Sequence, residues 1–137
     1  FAWHQDAGFI THTTVKPYLT CWIPLDDVTV ENGTIYVLPY DRAGTRDLVT
    51  HTREEESNDM VGYRGDDPGD PVMVSAGSLV AFSAYTFHRS GPNTTDKPRR
   101  AFLLQYSAEL ITNADGSPRH HKTPFLVDGV NRAPGIG

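Results

Sequence analysis

Two stretches of this chain alternate, and alternation is the signature of a strand whose faces have different neighbours. In Leu19–Leu25, Leu19, Cys21, Ile23 and Leu25 form one row and Thr20 and Trp22 the other. In Arg99–Tyr106, Arg99, Ala101, Leu103 and Gln105 share one face, while Arg100, Phe102, Leu104 and Tyr106 share the opposite one. Side chains two apart on a strand point the same way, so only one of the two adjacent arginines can face an interior. Shorter runs at Gly33–Leu38, stopped by Pro39, and at Pro71–Val74 and Ser78–Phe82 add further strands. Asn32-Gly33 marks a turn, and Ala76-Gly77 reads as the turn of a hairpin joining the last two runs. With turns every eight to twelve residues or so and no convincing amphipathic helix, the pattern predicts an all-β sandwich or barrel.

A chain of 137 residues supports one domain with a single core. The alternating part predicts a core over about residues 1–110, with an irregular tail over 111–137. A net charge of −5 argues against a general nucleic-acid binder, whose footprint is a basic face. There is no apolar stretch of bilayer-spanning length and no signal peptide, and Cys21, the single cysteine, has no internal partner. Those features together predict a cytoplasmic protein. Residues 41–70 are rich in charge, with Arg53-Glu54-Glu55-Glu56 and Asp66-Asp67. They read as a solvated loop or short exposed helix, with a lid over a pocket as the functional alternative.

Near the start stands Trp3-His4-Gln5-Asp6, and far downstream Phe87-His88-Arg89-Ser90-Gly91-Pro92-Asn93. Two imidazoles and one carboxylate are the ligand set of the facial triad that holds Fe(II) and leaves positions open for other molecules. Across an extended Gln5, His4 and Asp6 point to one side and can reach one ion together. Taken alone, His-x-Asp reads equally as a surface histidine beside a solvated aspartate. Arg99, eleven residues beyond His88, changes that balance, because its planar fork of donors suits a carboxylate next to the metal. Nothing in the sequence places His51 at the site. His12 and the pair His120-His121 read as exposed polar residues.

These strings, with Trp22 in Leu19-Thr20-Cys21-Trp22-Ile23-Pro24-Leu25-Asp26-Asp27 and with Glu31-Asn32-Gly33, resemble the phytanoyl-CoA dioxygenase family from residue 3 to about residue 106. The resemblance implies a double-stranded β-helix, the jelly-roll barrel shared with cupins, and use of Fe(II) and 2-oxoglutarate. His4, Asp6 and His88 would hold the metal. Arg99 would receive the distal carboxylate of 2-oxoglutarate with Ser90 as a second donor, and Trp22 and Gln5 would wall the site. The implied reaction is hydroxylation of an unactivated C–H in a small-molecule metabolite, with release of succinate and carbon dioxide. Asp6 occupies the position that related halogenases leave for chloride, so a hydroxylase is expected. Two other readings compete: a cupin-like metal protein with non-oxidative chemistry, and a non-catalytic binding domain.

Family members carry an N-terminal portion with a helical layer ahead of this motif, and the resemblance implies that Phe1 lies inside a longer protein. Relatives commonly continue the strand after Gly33 with Pro-Gly-Ser-His, where this chain has Pro39-Tyr40-Asp41-Arg42. A substrate cannot therefore be carried over by analogy. The absence of a polybasic patch favours a small metabolite over a coenzyme A thioester.

Overall fold

The computed structural model describes residues 1–10, 15–109, 111–113, 115–117 and 126–131. A 3-10 turn at Asp6–Phe9 is followed by β1 (Leu19–Pro24), β2 (Ile35–Leu38), a one-turn helix α1 (Tyr40–Ala43), β3 (Thr52–Arg53), β4 (Met60–Val61) and β5 (Asp70–Pro71). Then come β6 (Val80–Ser83), β7 (Phe87–Ser90), β8 (Ala101–Tyr106), β9 (Leu126–Val127) and β10 (Val130–Asn131). Two three-stranded antiparallel sheets carry the architecture, in the orders β6-β1-β8 and β5-β2-β7. Strand neighbours distant in sequence, such as β1 with β8, are the jelly-roll pattern that the family resemblance implied.

The sheets face one another. Trp22 of β1, Val28 and Ile35 of β2 form one buried cluster, against which Val80, Phe82 and Ala101 of the first sheet also pack. A second cluster, Trp3, Leu38 and Phe87, lies behind β2 and β7. The Asn32-Gly33 turn is tight because Gly33 adopts φ 84°, and a Cβ there would come within 2.9 Å of the Gly91 carbonyl oxygen. On β1, Thr20, Trp22 and Pro24 are buried. The opposite, more apolar row leaves Leu19 and Leu25 exposed, alongside Phe102 and Tyr106 of β8.

The predicted hairpin through Ala76-Gly77 does not form. The turn is present, with Gly77 at φ 81°, but its flanks go to different sheets: β5 pairs with β2, and β6 pairs with β1. Backbone bonds from Val72 to the Ile35 carbonyl and from Val28 to the Val74 carbonyl carry the connection across. A Gly-containing turn reverses the chain locally but does not specify which strand receives each arm.

Residues 41–70 are less loop-like than their composition implied. They include α1 and the β3–β4 pair, whose Met60 and Val61 are buried. Arg42 clamps the far end by reaching Asp67 and Asp70, both at 2.8 Å. Val49 packs against the Trp3 cluster, and Leu48 against a third buried cluster of Ala7, Ile10, Val15, Tyr18, Ala84 and Ile111. His12, His120 and His121 lie outside the described residues.

Candidate metal centre

His4 and His88 face each other across an antiparallel bridge outside the named strands. Each amide donates to the other's carbonyl, at 3.0 and 2.9 Å. Residues exchanging both hydrogen bonds present their side chains on one face, and here the rings lie 4.2 Å apart. Gln5 is extended (φ −110°, ψ 134°), so Asp6 returns to the face of His4 before the chain tightens into the 3-10 turn. The alternation argument thus holds across one residue only. Ligand-capable atoms of His4, Asp6 and His88 all lie within 4.8 Å of one another. Asp6 Oδ1 is 3.8 Å from His4 Nε2 and 3.5 Å from His88 Nε2.

The outer atoms of these side chains are already occupied. His4 Nδ1 lies 2.8 Å from the Ala2 carbonyl and His88 Nδ1 lies 3.0 Å from that of Thr86. A carbonyl only accepts, so each ring carries its hydrogen on Nδ1 and turns a bare Nε2 lone pair inward. Asp6 Oδ2 accepts from the Thr20 hydroxyl at 2.5 Å and from Gln105 Nε2 at 3.1 Å, leaving Oδ1 for the interior. Burial, reinforced by the nearby His88, pushes the His4 imidazole down to about 4. For Asp6, burial alone would raise the carboxyl, but the adjacent His88 ring and the hydrogen bond from the Thr20 hydroxyl together hold it below the usual range. A neutral imidazole beside an ionised carboxylate is the state in which such groups bind a divalent cation.

Arg99 and Arg100 part as alternation requires. Arg100 turns outward and grips Asp26 with two side-chain bonds, at 3.0 and 2.5 Å. The Arg99 guanidinium lies over the Trp22 ring, 5.5 Å from its centroid, and its buried Nε has no hydrogen-bond partner among the described residues. Ser90 lies two residues from His88 on the same face and opposite Ile35 in the register, near the Trp22 cluster. Its Oγ accepts from the backbone nitrogen of Phe1 at 3.2 Å.

Gln5 takes a different position from the one expected. Its side chain points away from the three ligand-capable groups and is 1% exposed. The amide donates to the Asp47 and Tyr85 carbonyls at 2.9 and 2.7 Å and accepts from Val49 N–H at 3.0 Å. It supports the segment from behind instead of lining the cavity. Thr20 and Gln105 were not singled out by sequence reasoning. Their signal was parity: each shares a face with a residue that was, Thr20 with Trp22 and Gln105 with Arg99.

A jelly-roll barrel with a His-Asp-His group between its sheets defines a class of metal-capable β proteins. Within that class, the phytanoyl-CoA dioxygenase (PhyH) family model matches residues 1–101, and the chain belongs to that family. Methylphosphonate hydroxylase of Gimesia maris is 33% identical over 112 residues, covering 79% of this chain and 39% of that protein. The 2-aminoethylphosphonate dioxygenase of an uncultured bacterium is 29% identical over 107 residues, 78% of this chain and 39% of that one. Among solved structures, EvdO2 of Micromonospora carbonacea var. aurantiaca aligns with a TM-score of 0.63 and 28% identity, over 76% of this chain and 43% of that one. The same protein complexed with 2-oxoglutarate aligns at a TM-score of 0.62 and 23% identity, over 86% of this chain and 51% of that one, and shows the shared fold. The chain spans about two fifths of the length of the curated relatives it matches. No helix among the described residues is long and apolar enough to cross a membrane.

Proposed function

We propose that this chain is the core of an Fe(II)- and 2-oxoglutarate-dependent oxygenase that hydroxylates an unactivated C–H of a small-molecule metabolite, releasing succinate and carbon dioxide. The observation that carries the reading is the pair of Nε2 lone pairs and the Asp6 Oδ1 atom converging on one space, each fixed from behind. Family membership and the phosphonate-oxidising relatives support the oxygenase class.

His4, Asp6 and His88 would hold the iron. When bound, iron and 2-oxoglutarate would activate dioxygen, which is the oxidant: one of its oxygen atoms replaces hydrogen by hydroxyl at the unactivated carbon and the other leaves in succinate. The protein's own work is positional. The Ala2 and Thr86 carbonyls hold the hydrogens of the neutral His4 and His88 rings on Nδ1, so Nε2 of each is the atom turned inward as a ligand. Thr20 and Gln105 hold one Asp6 oxygen and leave the other free. Arg99 offers a buried, unsatisfied guanidinium N–H, a donor that is costly to leave unmade and that suits the carboxylate of 2-oxoglutarate. Ser90, on the His88 face, is the second donor in this reading, and Trp22 is the platform under the guanidinium. Asp6 fills the carboxylate position, which favours hydroxylation over halogenation.

The test is an anaerobic titration with Fe(II) followed by 2-oxoglutarate, watching for the weak visible charge-transfer band of the chelate. The band should form in the wild type and vanish in His88→Ala. Well-folded protein that binds Fe(II) but gives no band at any 2-oxoglutarate concentration would overturn the proposal.

A further inference from the structure

His51 has no part in the site just described, yet its ring touches both segments that carry the ligands. Its Nε2 accepts the backbone N–H of Gln5, the residue between His4 and Asp6, at 2.9 Å. Its Nδ1 lies 2.9 Å from the Val49 carbonyl, and that acceptor requires the hydrogen on Nδ1 and the lone pair on Nε2. The same tautomer therefore satisfies both contacts. The ring also stacks on Phe87, the neighbour of His88, at 6.4 Å and 29°.

The slot that holds this ring is built from missing side chains. A Cβ on Gly8 would overlap the imidazole, and one on Gly62 would lie 2.5 Å from its Nε2. Both glycines are themselves bonded to the ligand segment: Gly8 N–H to the Gln5 carbonyl at 2.8 Å and Gly62 N–H to the Trp3 carbonyl at 2.9 Å. The Gln5 side chain closes the loop by binding the backbone of Asp47 and Val49, four and two residues before His51. Residues 47–51 and Gln5 thus grip each other through side chain and backbone in both directions. A ligand pair separated by one residue has little freedom once that residue's N–H and amide are both fixed.

We propose that His51 is a positioning residue for the metal site, acting through its Nε2 on the Gln5 N–H to set the orientation of His4 and Asp6. The proposal rests on the metal reading above for its consequence, but its geometry can be tested without metal.

Three proteins decide it: wild type, His51→Phe, which fills the slot with a ring and removes the acceptor, and His51→Gln, which returns an acceptor oxygen at similar reach. In metal-free protein, hydrogen exchange of the Gln5 amide should speed up at least about tenfold in His51→Phe relative to the Gly8 and Gly62 amides, and return towards wild type in His51→Gln. With Co(II) as the probe, affinity should fall about 10- to 100-fold in His51→Phe and stay within a few-fold in His51→Gln at matched unfolding midpoints. Equal Gln5 protection in all three proteins would overturn the positioning role. So would equal loss of Co(II) affinity in both variants, since a purely space-filling role gives the acceptor no advantage. If His51→Phe does not fold, Gly62→Ala displaces the ring without removing it and should show the same faster Gln5 exchange; unchanged protection there overturns the proposal. Wild-type protein that protects Gln5 but binds no metal would count against the metal reading and leave the exchange comparison to decide His51.

Discussion

The two ends of the site are finished to different degrees. Around His4, Asp6 and His88, each atom pointing away from the centre is hydrogen-bonded: Nδ1 of both rings on backbone carbonyls, Oδ2 of Asp6 on Thr20 and Gln105. Around Arg99 the guanidinium has an aromatic face beneath it and a buried Nε with no partner among the described residues. The first end is a geometry assembled in advance, and the second holds a donor awaiting an acceptor. Substitutions should therefore separate the two ends, because removing a support harms a preformed site while removing an unpaired donor relieves the Arg99 end.

The largest effect is expected at the orphaned donor. Arg99→Met should raise half-saturating 2-oxoglutarate on the order of 100-fold, from about 3 kcal/mol for a charge-assisted contact to carboxylate. The metal-free variant should unfold within about 1 kcal/mol of wild type, since loss of the Trp22 contact and relief of the unpaired donor are of similar size. Destabilisation by several kcal/mol would mean that Arg99 is structural and would break the contrast.

At the preformed end, pH should report the cost of burying the ligand side chains. His4 titrates at about 4 in the fold against 6.5 when free, so between those values the unfolded chain binds more protons than the native one. Stability of the metal-free protein should then be flat above pH 6.5 and fall as pH drops towards 4, by about 3 kcal/mol in full from His4. Burial lowers His51 as well, and it adds to the same slope. Denaturant midpoints at several pH values, with His4→Asn as the comparison, check this; an unchanged slope in the variant would remove His4 as the cause.

Thr20→Val should weaken Co(II) binding about tenfold by freeing one Asp6 oxygen, with less effect on 2-oxoglutarate once metal is saturating. The smallest effect is expected at Arg100→Ala, whose exposed partner is Asp26. Its 2-oxoglutarate dependence should match wild type, and a shift like that of Arg99→Met would undo the assignment of the two arginine faces.

Much of this contrast was readable before the fold was known, and its legible parts share a cause. The separation of Arg99 from Arg100 follows from strand parity, which is a property of one backbone segment. The approach of His4 to Asp6 follows from the same rule across Gln5, although Asp6 is already the first residue of a turn. Thr20 and Gln105 could have been found by extending parity from Trp22 and Arg99. Gln5 could not be placed, because the face opposite a ligand has a neighbour only once residues 47–51 are laid against it. The hairpin through Ala76-Gly77 failed for a related reason: partner choice belongs to the sheets and not to the turn.

The family resemblance picked Arg99 over Arg100; the order of residue types alone was enough to determine an all-β class, two histidines and a carboxylate able to hold a metal, and that only one of the two adjacent arginines could turn inward. Those depend on side-chain chemistry and on the two-residue period of a strand. Only tertiary structure decided that His4 and His88 form a bonded pair across 84 residues, that Asp6 leans on Thr20 and Gln105, and that His51 stands behind Gln5 between two glycines. Each of those is a contact between segments distant in sequence, and local pattern has no means of specifying the partner.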